Sequence, residues 1–136
     1  MNEEMLPGLA GLTPPPLYRV RQTFPRPALA DAAAVVTAEV NRPEVLATLE
    51  GKASVAVAVG SRGIAGIDRI VAALVTALRE AGVDPFVVPS MGSHGGATAE
   101  GQESVLAHLG ITEASVGAPV RSSMATTAIG TVTSPH

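Results

Sequence analysis

The stretch "ASVAVAVGSRGIAG", residues 53–66, carries the pattern that decides the fold. Its first half, Ala53 to Val59, is a short run of alanine and β-branched residues bounded by Lys52 and Gly60. Such a run predicts a strand buried on both faces, like the central strands of parallel sheets. The glycine-rich second half predicts a loop at the carboxyl end of that strand.

A helix and a second strand–loop–helix unit are predicted next. Apolar residues recur at steps of three and four up to Leu78, which predicts an amphipathic helix that ends at Gly82. The segment "DPFVVP", residues 84–89, predicts a second buried strand, kept short by its two prolines. After a glycine-rich loop, Thr98 is a suitable cap for a helix that ends at Gly110. The inward-facing residues of this last helix are expected to be Val105, Leu106 and Leu109.

The order of these elements over residues 53–110 determines the fold class. Strands that alternate with helices are parallel and are joined by crossovers. We therefore expect an α/β protein in which helices flank a parallel sheet, as in a Rossmann-like layered domain. The length predicts one such domain over residues 17–136, preceded by a flexible leader, residues 1–16, rich in proline and glycine.

The elements outside this central segment have weaker signals. Apolar and polar residues alternate from Leu17 to Phe24, which predicts a half-buried strand near a sheet edge. Residues 28–40 are rich in alanine and predict a helix, and Pro43 suits the first turn of a short second helix closed by Gly51. Beyond Ile111, strand-like residues occur without a definable element.

Composition and charge argue against several classes of partner. The chain has a formal net charge of −3 and only 2% aromatic residues, so it lacks the cationic surface and stacking side chains that nucleic acids bind. No apolar stretch approaches the roughly 20 residues that span a bilayer, and the amino-terminal residues are acidic where an export signal is basic. We therefore expect a cytoplasmic protein that binds neither nucleic acid nor membrane. It has no cysteine and no recognisable metal-ligand spacing, so no metal site is predicted.

The loop after the first strand presents Ser61 and Arg62. Its glycines are spaced three apart, which differs from the spacing of dinucleotide-binding loops. The planar guanidinium group of Arg62 suits a carboxylate or a phosphate. The alternative is an ordinary surface arginine. A cation near a helix start is slightly unfavourable, and this favours the functional interpretation.

The loop after the second strand, "SMGSHGGATAEG", places His94 between Ser93 and Gly95. Glycines at 95 and 96 permit positive φ and the close approach of a ligand, and their amides precede a helix, which predicts an anion site. A histidine side chain suits proton transfer near neutral pH. The alternatives are a histidine that only hydrogen-bonds a neighbouring carbonyl, and a glycine-rich turn without a ligand.

The two loops are expected to form one site. Ligands of open parallel sheets bind beyond the carboxyl ends of the strands, so Arg62 and His94 should project into one crevice. His94 is the predicted catalytic residue. The predicted substrate-binding residues are Arg62, Ser61, Ser93, Gly95 and Gly96. His108 is expected to be solvated and His136 to be disordered at the terminus.

Residues 57–120, with "SRG" after the first strand and "GSHGG" in the next strand-end loop, resemble the N-terminal domain of the nickel-pincer lactate racemase family, and more closely its uncharacterised relatives. The likeness extends over Leu17 to Arg121. It implies an N-terminal α/β domain, a second α/β domain and an active site in the cleft between them. It also implies a nickel-pincer nucleotide on a lysine, which takes a hydride from a 2-hydroxy acid and returns it to the other face.

The resemblance assigns roles to two residues and leaves others without a counterpart. His94 matches the histidine that exchanges the proton of the substrate hydroxyl, and Arg62 matches an arginine that binds the substrate. Val59 stands where the racemases have an aspartate, so the substrate is expected to differ. The family's second histidine and its nickel-ligating histidine have no counterpart, and the one lysine, Lys52, precedes the strand instead of following it.

The resemblance therefore implies the substrate-binding half of a racemase or epimerase for a small 2-hydroxy acid or another carboxylate. It is an isomerase only when a missing C-terminal domain or a partner chain completes it. The chain is then a fragment of a longer enzyme, a truncated reading frame or half of a split enzyme. Two alternatives are a non-catalytic module that binds a carboxylate or phosphate, and an interaction fragment whose exposed sheet edge binds a partner.

Overall fold

The computed structural model describes residue 13 and residues 16–25 and 27–133. The helices are α1 (Ala32–Val40), α2 (Pro43–Leu49), α3 (Ile67–Glu80), α4 (Ala99–His108) and α5 (Glu113–Val116), and the strands are β1 (Ser54–Val59) and β2 (Asp84–Pro89). A 3-10 turn, His94–Ala97, precedes α4. The structure thus belongs to the mixed helix and strand class, with a parallel sheet.

The sheet consists of β1 and β2, which pair in parallel with Ser54 opposite Asp84 and Val59 opposite Pro89. On its other side β2 makes one further parallel bridge, between Val87 and Val120. The Val87 amide donates to the Pro119 carbonyl and the Arg121 amide donates to the Val87 carbonyl, each over 2.8 Å. A short segment after α5 thus continues the sheet, where the sequence predicted no element.

The core lies between one face of the sheet and α3. Val57, Val59 and Val87 are buried on this face and form one cluster with residues of α3. The α3 members of the cluster are Ile67, Val71, Val75, Ala77 and Leu78. The predicted stripe of apolar residues at steps of three and four therefore faces the sheet, as an amphipathic helix requires.

The prediction that β1 is buried on both faces is wrong. Ala56 and Ala58 are exposed, whereas Val57 and Val59, which alternate with them, are buried. Side chains alternate between the two faces of a strand, so the larger valines point to the core and the small alanines to the open face. Within the described residues, no helix covers Ala56 and Ala58.

The predicted helices are formed, but the first one is shorter than predicted: α1 begins at Ala32, and residues 28–31 are not helical. Asp31 caps α1 through a 3.0 Å hydrogen bond from the Ala34 amide to its carboxylate. Pro43 begins α2. Thr98 caps α4, because its Oγ1 accepts a hydrogen bond from the Gly101 amide over 3.0 Å. The side-chain oxygens of Asp31 and Thr98 satisfy amides that the first turn of a helix leaves without partners.

The predicted strand from Leu17 to Phe24 is not formed. These residues form neither strand nor helix and are exposed, with Tyr18 at 81% and Val20 at 80% of full exposure. Alternation makes a strand only where another strand supplies hydrogen bonds, and in the described part of the chain none pairs with this segment. The predicted leader, residues 1–16, lies outside the described residues except for Thr13 and Pro16.

Among the residues that the structure describes, none of the helices has the length and apolar character needed to cross a membrane.

The core makes a direct prediction for stability. Leu106 of α4 belongs to the same core cluster and is fully buried. Leu106→Ala should therefore lower the free energy of unfolding by about 2–5 kcal/mol through lost burial and a cavity. Leu29, which is 67% exposed, provides the matched control, and Leu29→Ala should change the value by less than about 0.5 kcal/mol. Urea denaturation followed by circular dichroism measures both. Equal effects of the two substitutions would contradict this description of the core.

Candidate functional site

The carboxyl ends of β1 and β2 lie side by side. The pairing reaches Val59 and Pro89 and continues one step further, because the Ser90 amide donates to the Val59 carbonyl over 2.8 Å. The loop from Gly60 to Gly66 and the loop from Ser90 to Ala97 therefore leave the sheet at the same edge. Strand pairing alone brings the two loops together.

An open depression of about 350 Å³ lies between these loops, and we call it the strand-end depression. Arg62 and Ser61 line it from the first loop and His94 lines it from the second, as their positions after adjacent parallel strands predicted. The full lining consists of Gly60, Ser61, Arg62, Ile64, Ile67, Ser90, Met91 and His94.

Three of the predicted binding residues lie beside the strand-end depression and not on its lining. Ser93, Gly95 and Gly96 belong to the same loop as His94, but none of them is a lining residue. Their role as anion donors stays a prediction.

The lining combines polar groups with an apolar wall. Arg62 and His94 are both exposed, and within the described residues neither side chain has an ion-pair or hydrogen-bond partner. Both are therefore available to a ligand. The hydroxyl groups of Ser61 and Ser90 add neutral hydrogen-bonding groups. The apolar lining residues are Ile64, Ile67 and Met91.

This arrangement suits a small acid with a short apolar body. A guanidinium group binds a carboxylate through two parallel hydrogen bonds, and an imidazole can accept or donate the proton of a hydroxyl group. The expected alternative for His94, a ring held by a neighbouring carbonyl, is not observed among the described residues. The helix-dipole argument for Arg62 does not apply, because α3 begins at Ile67, more than one turn later in the chain.

The glycines around His94 have a structural reason that the sequence did not reveal. Gly92, Gly95 and Gly96 have positive φ values of 61°, 64° and 69°, which glycine adopts at low cost. A Cβ atom at Gly95 would lie 2.5 Å from the backbone nitrogen of Gln102 and closer still to Gly101. At Gly95, therefore, the close neighbour is the first turn of α4, whereas no atom lies within 4 Å of a Cβ at Gly92 or Gly96.

Gln102 is a site-related residue that sequence reasoning missed. Its side chain is buried, and its Nε2 donates to the Gly92 carbonyl over 2.7 Å. The signal was present, because position 102 lies three, four and seven residues before Val105, Leu106 and Leu109, on the predicted inner stripe of α4. A polar residue on such a stripe indicates a buried hydrogen bond.

The other histidines lie apart from the strand-end depression. His108 is exposed, as predicted, and its Nδ1 lies 2.7 Å from the Ser104 carbonyl oxygen. His136 lies outside the described residues.

The described residues do not fit a nickel-pincer nucleotide. Among them, no group of three or more histidine, aspartate or glutamate side chains could hold a metal ion. Lys52 lines a different depression, with Gly51 and Gly82, at the amino end of β1. A six-residue strand separates the two ends, a distance of roughly 20 Å. Lys52 therefore does not present an attachment point beside Arg62 and His94.

The comparisons with protein-family models, with curated proteins and with solved structures found no match for this chain.

Two alanine substitutions separate the two reasons for glycine in the His94 loop, which are the positive φ and the packing against α4. Gly96→Ala should cost about 1 kcal/mol of stability, because only the positive φ opposes it and no atom lies within 4 Å of the new Cβ. Gly95→Ala should cost about 1–3 kcal/mol more, because its Cβ overlaps the backbone of α4. Urea denaturation of both variants measures the difference. Equal losses would show that Gly95 does not pack against α4.

Proposed function

We propose that this chain is the substrate-binding half of an enzyme that racemises or epimerises a small 2-hydroxy acid. The observation that carries the proposal is the presence of Arg62 and His94 on one depression at the carboxyl edge of the parallel sheet. This supports the resemblance to the N-terminal domain of the nickel-pincer lactate racemase family, which rests on the same two loops. A ligand-sized depression at the carboxyl edge of a parallel sheet also favours the more specific fold prediction, a Rossmann-like layered domain.

The two side chains have complementary roles in this proposal. Arg62 binds the substrate carboxylate with its guanidinium group, and the hydroxyl groups of Ser61 and Ser90 hydrogen-bond the same end of the ligand. In the completed enzyme the C–H hydrogen would leave as hydride to an acceptor held by the second domain or partner chain, which turns the hydroxy acid into a 2-oxo acid. His94 accepts the hydroxyl proton in that step and returns it when the hydride returns to the other face. Ile64 and Met91 contact the apolar substituent of the substrate.

A second domain or a partner chain completes the enzyme in this proposal. Inversion at carbon requires groups on both faces of the substrate, and His94 is the one imidazole on the described lining. The group that removes hydrogen from carbon must be held elsewhere, because the described residues of this chain do not fit it. The open sheet face with Ala56 and Ala58 is a surface that a further layer would cover.

A non-catalytic module that binds a carboxylate or a phosphate is the second candidate. It is favoured by the same observation, because one arginine and one histidine on an open depression are sufficient for binding but not for inversion. The two candidates make the same prediction for the isolated chain: it binds a small acid and does not convert it. Turnover by the assembled enzyme separates them.

Binding measurements on two ligands test the roles of Arg62 and His94. L-Lactate and propionate share a carboxylate and differ in the hydroxyl group. Arg62→Ala should weaken binding of both by roughly ten- to a hundredfold, because a charge-assisted pair is lost. His94→Ala should weaken lactate binding by roughly two- to tenfold and leave propionate binding unchanged. Isothermal titration calorimetry measures all four affinities.

Arg69→Ala is the matched control, because Arg69 is exposed and lines a different depression. It should leave both affinities unchanged. A lactate affinity that is insensitive to Arg62→Ala, or an equal effect of His94→Ala on both ligands, would contradict the proposed roles.

A further inference from the structure

The loop that carries His94 is attached to α4 by a buried side chain. Gln102 is 5% exposed and is the buried polar residue of the described core. Its Nε2 donates to the carbonyl oxygen of Gly92 over 2.7 Å, across ten residues of chain. The bond is therefore tertiary and not part of the helix.

Three further contacts hold the residues that follow His94 in the chain. Thr98 Oγ1 donates to the Gly95 carbonyl over 3.2 Å and accepts from the Gly101 amide over 3.0 Å. Gly95 also packs directly on the backbone of Gly101 and Gln102. His94 thus lies between two attachments to the first turns of α4, one at Gly92 and one at Gly95.

The bond to Gly92 restricts position more than it adds stability. Gly92 is exposed, so water can hydrogen-bond its carbonyl when Gln102 is replaced. Residues 92–94 are exposed, and among the described residues one further backbone hydrogen bond holds them, from the His94 amide to the Met91 carbonyl over 3.3 Å. Once the Gln102 bond is lost, the segment before His94 keeps this one hydrogen bond and the packing of Met91 against the core, and nothing else recorded for the described residues fixes Gly92 and Ser93.

We propose that Gln102 is the positioning residue for His94: it holds the Gly92 carbonyl and thereby keeps the imidazole on the strand-end depression. The importance of this role for a ligand rests on the proposed function. The restraint that Gln102 places on the loop does not depend on the proposed function. A rigid helix that supports a loop residue is a common way to keep an acid or base group in place.

Gln102→Met tests the restraint, because methionine has a similar length, suits a buried site and cannot donate. The backbone order parameters of Ser93 and His94 should fall from about 0.85 to below about 0.6, while those of β1 and α3 stay unchanged. Lactate affinity should fall by roughly two- to tenfold. Gln22→Met is the matched control, since Gln22 is exposed, and it should change neither value.

Gln102→Glu adds a readout that a merely structural role would not change. A protonated carboxyl group can donate to the Gly92 carbonyl, whereas a carboxylate cannot. The loop of this variant should therefore be ordered at low pH and become mobile as pH rises through the titration of Glu at this position. The wild-type loop, measured over the same range, should show no such transition from residue 102.

The outcomes separate the two proposals. Unchanged order parameters of Ser93 and His94 in Gln102→Met, or a pH-independent loop in Gln102→Glu, would overturn the role of Gln102 whatever the ligand data show. Absence of lactate binding by the wild-type chain, together with a loop that becomes mobile in Gln102→Met, would leave the restraint standing and reject the proposed function.

Discussion

The parallel hydrogen bonding between β1 and β2 is the interaction on which the rest of the structure depends. It runs from Ser54 to Val59 and extends to Ser90, whose amide donates to the Val59 carbonyl. Because the ends of the two strands are thus held in register, the loops that follow them share one edge of the sheet. The presence of Arg62 and His94 on one depression follows from this backbone pairing and needs no direct bond between the two side chains.

The central elements could be predicted because local and tertiary preferences agree there. The stripe of α3 from Ile67 to Leu78 has the helical period, and its apolar face meets the buried valines of the sheet. The cap at Asp31 was not predicted, because the alanine-rich pattern extends to Ala28 and placed Asp31 inside the helix. The cap at Thr98 was predicted because a short polar side chain there accepts from an amide of the first helical turn. Where pattern and partner coincide in this way, sequence reasoning is reliable.

The wrong and missed predictions have one common cause: a local sequence pattern does not show which distant residues a segment will contact. Leu17 to Phe24 alternates like a strand, yet its residues are exposed because no described strand pairs with them. Val120 forms a bridge to Val87 because the second edge of β2 has free backbone groups there. The residues around Val120 carry no pattern that predicts this pairing. Similarly, Gly95 was expected to admit a ligand, but its neighbour is the backbone of α4. Gln102 was missed because its acceptor lies ten residues earlier in the chain.

The central claim is that Arg62 and His94 bind one small acid together. A titration of the wild-type chain with L-lactate, followed by the NMR signals of the Arg62 side-chain Nε–H group and the His94 ring, tests it most directly. We expect both signals to shift along one saturation curve with one dissociation constant. Two different dissociation constants, or a shift of one side chain while the other stays unchanged, would contradict a shared site.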